Sequence, residues 1–249
     1  MNKPFVVGGI TINNITLKAL VGEVNDRITT GQRGYILTPN VAHIILAQDD
    51  TAFKAAYDNA SWRVLDSMPL KWVSRLLGTC IVERITGTDI VYALTQLASE
   101  KKYRIYLLGG EESIVCKVKT TLEQKFPNVD ICGYNNGYFG DQNAVIDKVN
   151  NAEADIIIVA LGFGKQEKWL HSVWGSLNTS CAVCVGGVFD VIAGKTKRAP
   201  VWIQNIGLEW FWRVMQEPGR LWKRYLVSNT RFLALLCREL MQYRLKSKV

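Results

Sequence analysis

Hydrophobic and polar positions follow the same order in five segments of the chain. In each segment, a short run rich in β-branched residues is followed by Gly, Asn, Asp or Pro and then by apolar residues at helical spacing. This order is typical of parallel units in which a strand leads into a helix. The five units begin with YILTPN, WRVLDSMP, RIYLLGG, DIIIVALGFG and CAVCVGG.

These units predict an α/β fold with an open, doubly wound and mostly parallel sheet of the Rossmann-like kind. Helices are expected to begin at Val41, near Pro69, and at Lys165, the last of them running to about Val173. Ser67 is the candidate N-cap of the second helix, and Pro69 suits the first turn of that helix.

Ligands bind at the carboxyl ends of the strands in sheets of this kind. The residues that follow the predicted strands should therefore converge on one crevice. These residues are Thr38, Asn40, Asp66, Gly109, Gly110, Gly162, Lys165, Gln166 and Gly186.

The glycines of YLLGGEES and VALGFGKQE favour a phosphate site, because they let an anion approach the backbone amides at a helix N-terminus. Close packing of the helices is a second explanation for the same glycines. Neither stretch fits G-x-G-x-x-G, and the chain has no G-x-x-x-x-G-K-[ST]. The pattern therefore argues against a dinucleotide enzyme and against a P-loop NTPase.

The net charge of +8 is concentrated in the last fifth of the chain. Residues 195–249 hold 12 Lys and Arg against three Glu, whereas residues 1–194 hold 18 basic and 19 acidic residues. Basic residues alternate with aromatic residues and leucines in RLWKRYLVSNTRFLALLCREL, residues 220–240. Composition and charge change together at GKTKRAP, which predicts a core over residues 1–194 and a helical appendage over residues 195–249.

The appendage suits a membrane surface, because anionic lipids attract Lys and Arg and aromatic side chains favour the interface. Apolar runs reach about six residues, far fewer than the roughly 20 that span a bilayer. The N-terminus lacks the features of a signal peptide. Six scattered cysteines are expected to be reduced packing residues. The sequence thus predicts a cytoplasmic protein that binds the membrane peripherally.

Asp66 follows an apolar strand, where partial burial would raise the pKa of a general base. Capping of the next helix is an equally good explanation for this residue. His43 and His171 are more typical of packing or surface histidines than of catalytic ones. The chain has no Asp-x-Asp, the usual clamp for a divalent ion on a sugar-nucleotide diphosphate, so arginines would have to stabilise phosphate charge.

Six stretches of the chain occur in the order found in one protein family. They are LTPNVAHIILAQDD, LDSMPLKWVSRLLG, ERITGTDI, YLLGG, LGFGKQEKW and the block from Gly186 to Leu226. Together they resemble the WecG/TagA/CpsF family of bacterial glycosyltransferases over nearly the whole chain, and the last block is the most distinctive.

The resemblance implies an inverting transfer of a sugar from a UDP-sugar to a polyprenyl-diphosphate-linked sugar in cell-surface polysaccharide synthesis. The absence of Asp-x-Asp predicts that this transfer needs no metal, and no cofactor is expected. The resemblance suggests N-acetylmannosamine, its uronic acid or glucose as the donor sugar. Asp66 matches the family's proposed catalytic base. The residues that match its pocket are Thr38, Asn40, Arg84 and Gln166, and those that match the basic positions of its membrane-bound appendage are Arg213, Arg220, Lys223 and Arg224.

Two motifs depart from the family pattern. The chain has DSMP at residues 66–69 where the family usually has Asp-Gly-Met/Ile-Pro, and GFGKQE at residues 162–167 where the family usually has Gly-Ala/Ser-Pro-Lys-Gln-Glu. Both motifs lie near the expected donor site. They weaken the inference of the donor sugar more than that of the activity.

A nucleotide-sensing α/β domain with a nucleic-acid-binding tail is the main alternative, because the tail is basic and aromatic. A Rossmann-like oxidoreductase would need an acidic ribose ligand and a fuller phosphate fingerprint than Gly109 and Gly110. The resemblance favours the transferase, whose partners are a UDP-sugar, a lipid-linked acceptor and an anionic membrane but no nucleic acid. A homo-oligomer stays open beside a monomer.

Overall fold

The structure, a computed structural model, describes residues 3–246, apart from the side chains of Arg220 and of residues 244–246. Two short strands form an antiparallel hairpin, β1 (Phe5–Val7) and β2 (Ile10–Ile12). The central sheet consists of β3 (Gly34–Leu37), β4 (Trp62–Arg63), β5 (Arg104–Gly109), β6 (Asp130–Asn135), β7 (Ile156–Ala160) and β8 (Cys181–Cys184). The helices are α1 (Leu17–Thr29), α2 (Val41–Asp49), α3 (Thr51–Asp58), α4 (Met68–Leu76), α5 (Gly87–Lys101), α6 (Glu112–Lys125), α7 (Gln142–Asn151), α8 (Lys165–Val173), α9 (Val188–Ile192), α10 (Val201–Asn205), α11 (Glu209–Gln216) and α12 (Pro218–Lys246).

The central sheet is parallel throughout, with the strand order β4-β3-β8-β7-β5-β6. The predicted α/β class is confirmed, and all five predicted strand-to-helix units are present. The sequence pattern does not predict the β1-β2 hairpin or β6. Strand β6 is not predicted because this edge strand has the sequence DICGYN, which contains a Gly and polar residues in place of a β-branched run.

Helices cover both faces of the sheet, because side chains alternate between the faces along each strand. In β7, Ile157 and Val159 belong to the apolar cluster that includes residues of α2, α3, α7 and α8. Ile156 and Ile158 belong to the opposite cluster, which includes residues of α1, α5, α6 and α9. The sheet is therefore doubly wound, and its carboxyl edge is left for a site.

Two helix starts agree with the sequence prediction to the residue. Helix α2 begins at Val41 after the N-cap Asn40, whose side chain accepts hydrogen bonds from the amides of Ala42 and His43. Helix α8 spans Lys165–Val173. Helix α4 begins at Met68, and Ser67 occupies the N-cap position without a side-chain capping bond.

The last helix, α12, is held against the core at several points along its length. Phe232 is buried in the same apolar cluster as residues of α2. Arg231 donates two hydrogen bonds to the carboxylate of Asp49, at 2.5 and 2.8 Å. Glu239 accepts a hydrogen bond from the amide of Gly8 at 2.7 Å. Within residues 3–246, no helix has the length and apolar content required to cross a bilayer.

Candidate active site

A cavity of about 700 Å³ opens at the carboxyl edge of the sheet, where the loops after β3, β5, β7 and β8 meet residues of the tail. Here the tail means residues 195–246. Most of the residues singled out from the sequence line this cavity: Thr38, Asn40, Asp66, Gly110, Gly162, Lys165, Gln166, Gly186, Arg213 and Arg224. The carboxyl ends of separate strands and two helices of the tail, α11 and α12, thus supply a single site.

The other sequence candidates lie elsewhere. Gly109 is at the end of β5, where an added Cβ would lie 2.4 Å from the carbonyl oxygen of Ala160, so close strand packing explains this glycine. Arg84 lines a smaller cavity beside the first. Lys223 is exposed on α12 and is not among the described residues that line either cavity. The side chain of Arg220 lies outside the described residues.

Asp66 lies where the two cavities meet, because it is a lining residue of both. It directly precedes Ser67, the residue at the N-cap position of α4. Burial, followed by the nearby carboxylate of Glu209, raises the pKa of Asp66 to about 7, although Arg213 and Arg84 oppose the shift. A carboxyl group with this pKa can exchange a proton near neutral pH.

Glu209 joins two arginines beside Asp66. Its Oε2 atom lies 3.0 Å from Nη1 of Arg84, and its Oε1 atom lies 3.4 Å from Nη2 of Arg213. Arg84 also donates a hydrogen bond to Gln204 at 2.9 Å, so it binds both α10 and α11 to the core. Sequence reasoning missed Glu209, although its spacing of four residues from Arg213 within one helix is a recognisable ion-pair pattern.

A buried hydrogen-bond network positions Asn40 and Gln166. The backbone amide of Asn40 donates a hydrogen bond to Nδ1 of His43, which leaves Nε2 to carry the ring proton. This Nε2 atom lies 3.3 Å from Oε1 of Glu167. Gln166 donates to the same carboxylate oxygen at 2.8 Å and accepts from the amide of Gly186 at 3.0 Å. His43, set aside in the sequence analysis, therefore lies within the cavity wall.

The tail covers one side of the large cavity with basic groups. The guanidinium carbon of Arg224 lies 4.8 Å from the ring centre of Phe163 and 5.0 Å from that of Tyr225. Its Nε atom is buried and finds no hydrogen-bond partner among the described residues. Lys195, at the start of the tail, reaches Glu111 at 3.2 Å. The tail thus contributes positive charge to the cavity wall.

The fold and the cavity define an α/β enzyme with a titratable carboxylate and arginines at the carboxyl edge of its sheet. The chain matches the family described as "Glycosyl transferase WecG/TagA/CpsF family" over residues 5–246. It belongs to this family and is a glycosyltransferase of the hexosyltransferase kind. The resemblance inferred from the sequence motifs is confirmed.

Two curated relatives carry the same name, N-acetylglucosaminyldiphosphoundecaprenol N-acetyl-beta-D-mannosaminyltransferase. The chain is 33% identical to the protein of Bacillus subtilis (strain 168) over 228 residues, which cover 87% of this chain and 86% of the relative. It is 32% identical to the protein of Bacillus spizizenii (strain ATCC 23059 / NRRL B-14472 / W23) over 192 residues, which cover 77% and 74%.

Proposed function

We propose that this enzyme transfers a hexosyl group from a UDP-sugar to an N-acetylglucosaminyl diphosphate carried on a polyprenyl chain, with inversion at the anomeric carbon. The names of the two relatives favour N-acetylmannosamine as the transferred sugar. The observation that carries the proposal is the position of Asp66, a carboxyl group with a pKa of about 7, in a cavity whose tail side is basic.

The large cavity is the donor site. Its volume of about 700 Å³ is within the range of about 300–1,000 Å³ that is usual for small-molecule sites. Gly110, Gly162 and Gly186 have positive φ angles and place backbone rather than side chains around the ligand. Thr38, Asn40, Lys165 and Gln166 extend this lining as groups that position the donor.

Asp66 acts as the general base in a single displacement. Its carboxylate takes the proton from the acceptor hydroxyl while that oxygen forms a bond to the anomeric carbon. The bond from the anomeric carbon to the diphosphate oxygen breaks at the same time, and the electron pair leaves with UDP. One displacement of this kind inverts the anomeric centre.

The tail arginines stabilise the leaving diphosphate. Arg213 and Arg224 line the donor site, and their guanidinium groups are suited to pair with phosphate oxygens. Arg220 and Lys223 belong to the same basic set in the sequence. Residues 195–249 are accordingly proposed as an appendage that completes the active site of the core over residues 1–194.

Metal independence is part of the proposal. The sequence has no Asp-x-Asp, and the described residues contain no group of three or more His, Cys, Asp or Glu that could hold a metal ion. Activity is therefore expected to survive an excess of EDTA, measured as UDP release in the presence of the acceptor. Complete loss of activity that Mg²⁺ or Mn²⁺ restores would contradict metal independence.

The tail also supports peripheral binding at the cytoplasmic face of the membrane. Large apolar side chains lie exposed beside its Lys and Arg residues, an arrangement that suits the lipid–water boundary. They include Val201, Trp202, Ile206, Leu208, Phe211, Met215, Trp222, Leu226, Val227 and Leu233.

The direct test is to incubate the enzyme with a panel of UDP-sugars and a short-chain polyprenyl-diphosphate N-acetylglucosamine. The expected product has the mass of the acceptor plus one N-acetylhexosaminyl residue, and its new glycosidic bond has the opposite anomeric configuration to the donor. A product with retained configuration would contradict single displacement. Absence of transfer from every UDP-sugar would contradict the proposed donor class.

A further inference from the structure

A second cavity, of about 90 Å³, lies beside the donor site. The two cavities share five lining residues: Asn40, Asp66, Glu209, Arg213 and Tyr225. Asp66 is therefore part of a wall common to both cavities. The small cavity is completed by residues that the donor site lacks, among them Met68, Pro69, Arg84, Trp210 and Asn229.

The small cavity combines an aromatic surface with polar groups. The rings of Trp210 and Tyr225 contact each other with centroids 5.7 Å apart and an angle of 43° between their planes. Arg84, Asp66 and Asn229 add charged and amide groups to the same lining. A pyranose has an apolar face of C–H groups and a rim of hydroxyl groups, so an aromatic ring flanked by hydrogen-bonding side chains matches its chemistry.

The geometry of a displacement reaction indicates a role for the small cavity. The nucleophile and the leaving group must lie on opposite sides of the anomeric carbon, and the base must reach the nucleophile's proton. A donor in the large cavity has its diphosphate near Arg213 and Arg224. The acceptor hydroxyl then has to approach Asp66 from another direction, and the small cavity provides that approach because Asp66 lines it.

An apolar surface adjoins the same cavity. Gly207 lines the small cavity and packs closely against the indole of Trp72, which is 43% exposed. Leu208 and Phe211, adjacent to this glycine and to Trp210 in the sequence, are also exposed. A ligand that carries an apolar chain can therefore place its polar end in the cavity and its chain on this surface.

We infer that the small cavity binds the terminal sugar of the acceptor, with Trp210 as the stacking surface and Asn229 as a polar contact. This inference rests on the proposed function and goes beyond it, because it separates the acceptor subsite from the donor site. Trp210 and Asn229 are substrate-positioning residues here, since the proton and the leaving group are handled by Asp66 and the arginines.

Trp210→Ala in the full-length enzyme tests the inference. The KM for a short-chain polyprenyl-diphosphate N-acetylglucosamine is expected to rise roughly ten-fold, the loss that corresponds to about 1.4 kcal/mol of stacking. The KM for the UDP-sugar and the Kd for UDP are expected to stay unchanged. Trp210→Phe should recover most of the loss, because it restores an aromatic surface.

Two further variants keep the test decisive. Asn229→Ala removes a side chain of α12 that lines only the small cavity, so it should raise the acceptor KM even if Trp210→Ala fails to fold. Trp222→Ala is the matched control, since Trp222 is 52% exposed in the same tail and is not among the described residues lining either cavity. An unchanged acceptor KM in Asn229→Ala and in a folded Trp210→Ala, or an equal rise in the donor KM, would overturn the inference.

Binding measurements separate this inference from the proposed function. If the wild-type enzyme transfers no sugar, the proposed function fails, and calorimetry with the same acceptor still decides whether the small cavity binds it. Weaker binding by Asn229→Ala than by wild type and Trp222→Ala would support the subsite. Equal binding by all three proteins would contradict it.

Discussion

At the scale of single residues, the chemistry of Asp66 is set by groups from distant parts of the chain. Burial raises its pKa to about 7, Glu209 adds to the rise, and Arg213 and Arg84 oppose it. Glu209 and Arg84 are 125 positions apart in the sequence and yet lie 3.0 Å from each other. A single carboxyl group is thereby kept ready to accept a proton near neutral pH.

Glu209→Gln should shift the pH dependence of catalysis toward lower pH. Asp66 must be deprotonated to act as a base, so kcat/KM should rise with pH up to a break near 7 and then level off. Removing the negative charge of Glu209 lowers the pKa of Asp66, which moves the break in the acid direction. Measurement of kcat/KM from about pH 5 to pH 9 checks this expectation.

Glu111→Gln provides the control, because Glu111 lines the same cavity but does not contribute to the shift of Asp66. Its break should coincide with that of the wild-type enzyme. An alkaline shift in Glu209→Gln, or equal shifts in both variants, would contradict the electrostatic account.

Residues at strand ends could be predicted, whereas residues brought in by tertiary contacts could not. Asn40 and Gln166 follow predicted strands, and the parallel sheet alone requires their approach. His43 and Glu209 join the site through side-chain contacts that no periodic pattern records. The sequence shows that Glu209 is spaced to pair with Arg213, but it does not show that the pair lies beside Asp66.

At the scale of elements, the loop between β7 and α8 joins the core to the tail. Phe163 in this loop contacts His43, with ring centres 4.8 Å apart, and also lies under the guanidinium of Arg224. Gly164 has a φ of 76°, which the proline usual in the family at this place cannot adopt. The departure from the family motif therefore changes the backbone and creates a ring that holds a tail arginine.

Phe163→Leu should weaken UDP binding by roughly two- to ten-fold, because a cation–π contact of about 0.5–1.4 kcal/mol no longer holds Arg224 over the donor site. Calorimetric titration with UDP measures the change. Tyr92→Leu is a matched control, because it removes another cation–π contact. In that contact, Nζ of Lys125 lies 3.7 Å from the ring centre of Tyr92, a residue of α5. Equal loss of UDP affinity in both variants would indicate a general effect on the fold.

The other departure from the family pattern, at Ser67, needs no change in backbone conformation. Ser67 replaces the family's usual glycine, and its φ of −124° and ψ of 123° are extended values that any residue adopts. The substitution is therefore compatible with the local fold, and it leaves Asp66 at the wall between the two cavities. The sequence alone could not distinguish this tolerated departure from the one at residues 162–164, because the difference lies in the backbone angles.

At the scale of the whole molecule, charge and apolar exposure are divided along the chain. Residues 1–194 are close to neutral, while residues 195–249 hold 12 basic residues against three acidic ones. The sequence revealed this division but not the way in which α12 returns to the core through Phe232, Arg231 and Glu239. Because α12 packs against the core, packing does not mark a boundary between residues 194 and 195. The division of the chain at this point stays a prediction about function.

Lys223→Glu should reduce binding to anionic phospholipid vesicles more than Lys117→Glu does. Both lysines are exposed and the charge change is identical, but Lys117 is on α6 of the core. Binding of the wild-type enzyme should fall as salt rises from about 0.1 M to 1 M, because the Debye length shrinks from roughly 10 Å to 3 Å. Vesicle co-sedimentation measures both effects.

Two outcomes would contradict membrane binding through the tail. One is equal binding to neutral and anionic vesicles at every salt concentration. The other is stronger salt-dependent retention on DNA than on vesicles, which would favour the nucleic-acid alternative.

The most direct measurement of the central claim is the transfer rate of Asp66→Asn, with UDP affinity determined in parallel. Because burial raises the pKa of Asp66, the ionised carboxylate destabilises the fold increasingly as the pH rises from about 4 to about 7. The variant should therefore unfold no earlier than the wild-type enzyme at pH 8, and unfolding cannot explain lost activity. We expect turnover to fall about 10²- to 10⁴-fold with UDP binding unchanged. Turnover close to that of the wild-type enzyme would contradict the role of Asp66 as the base.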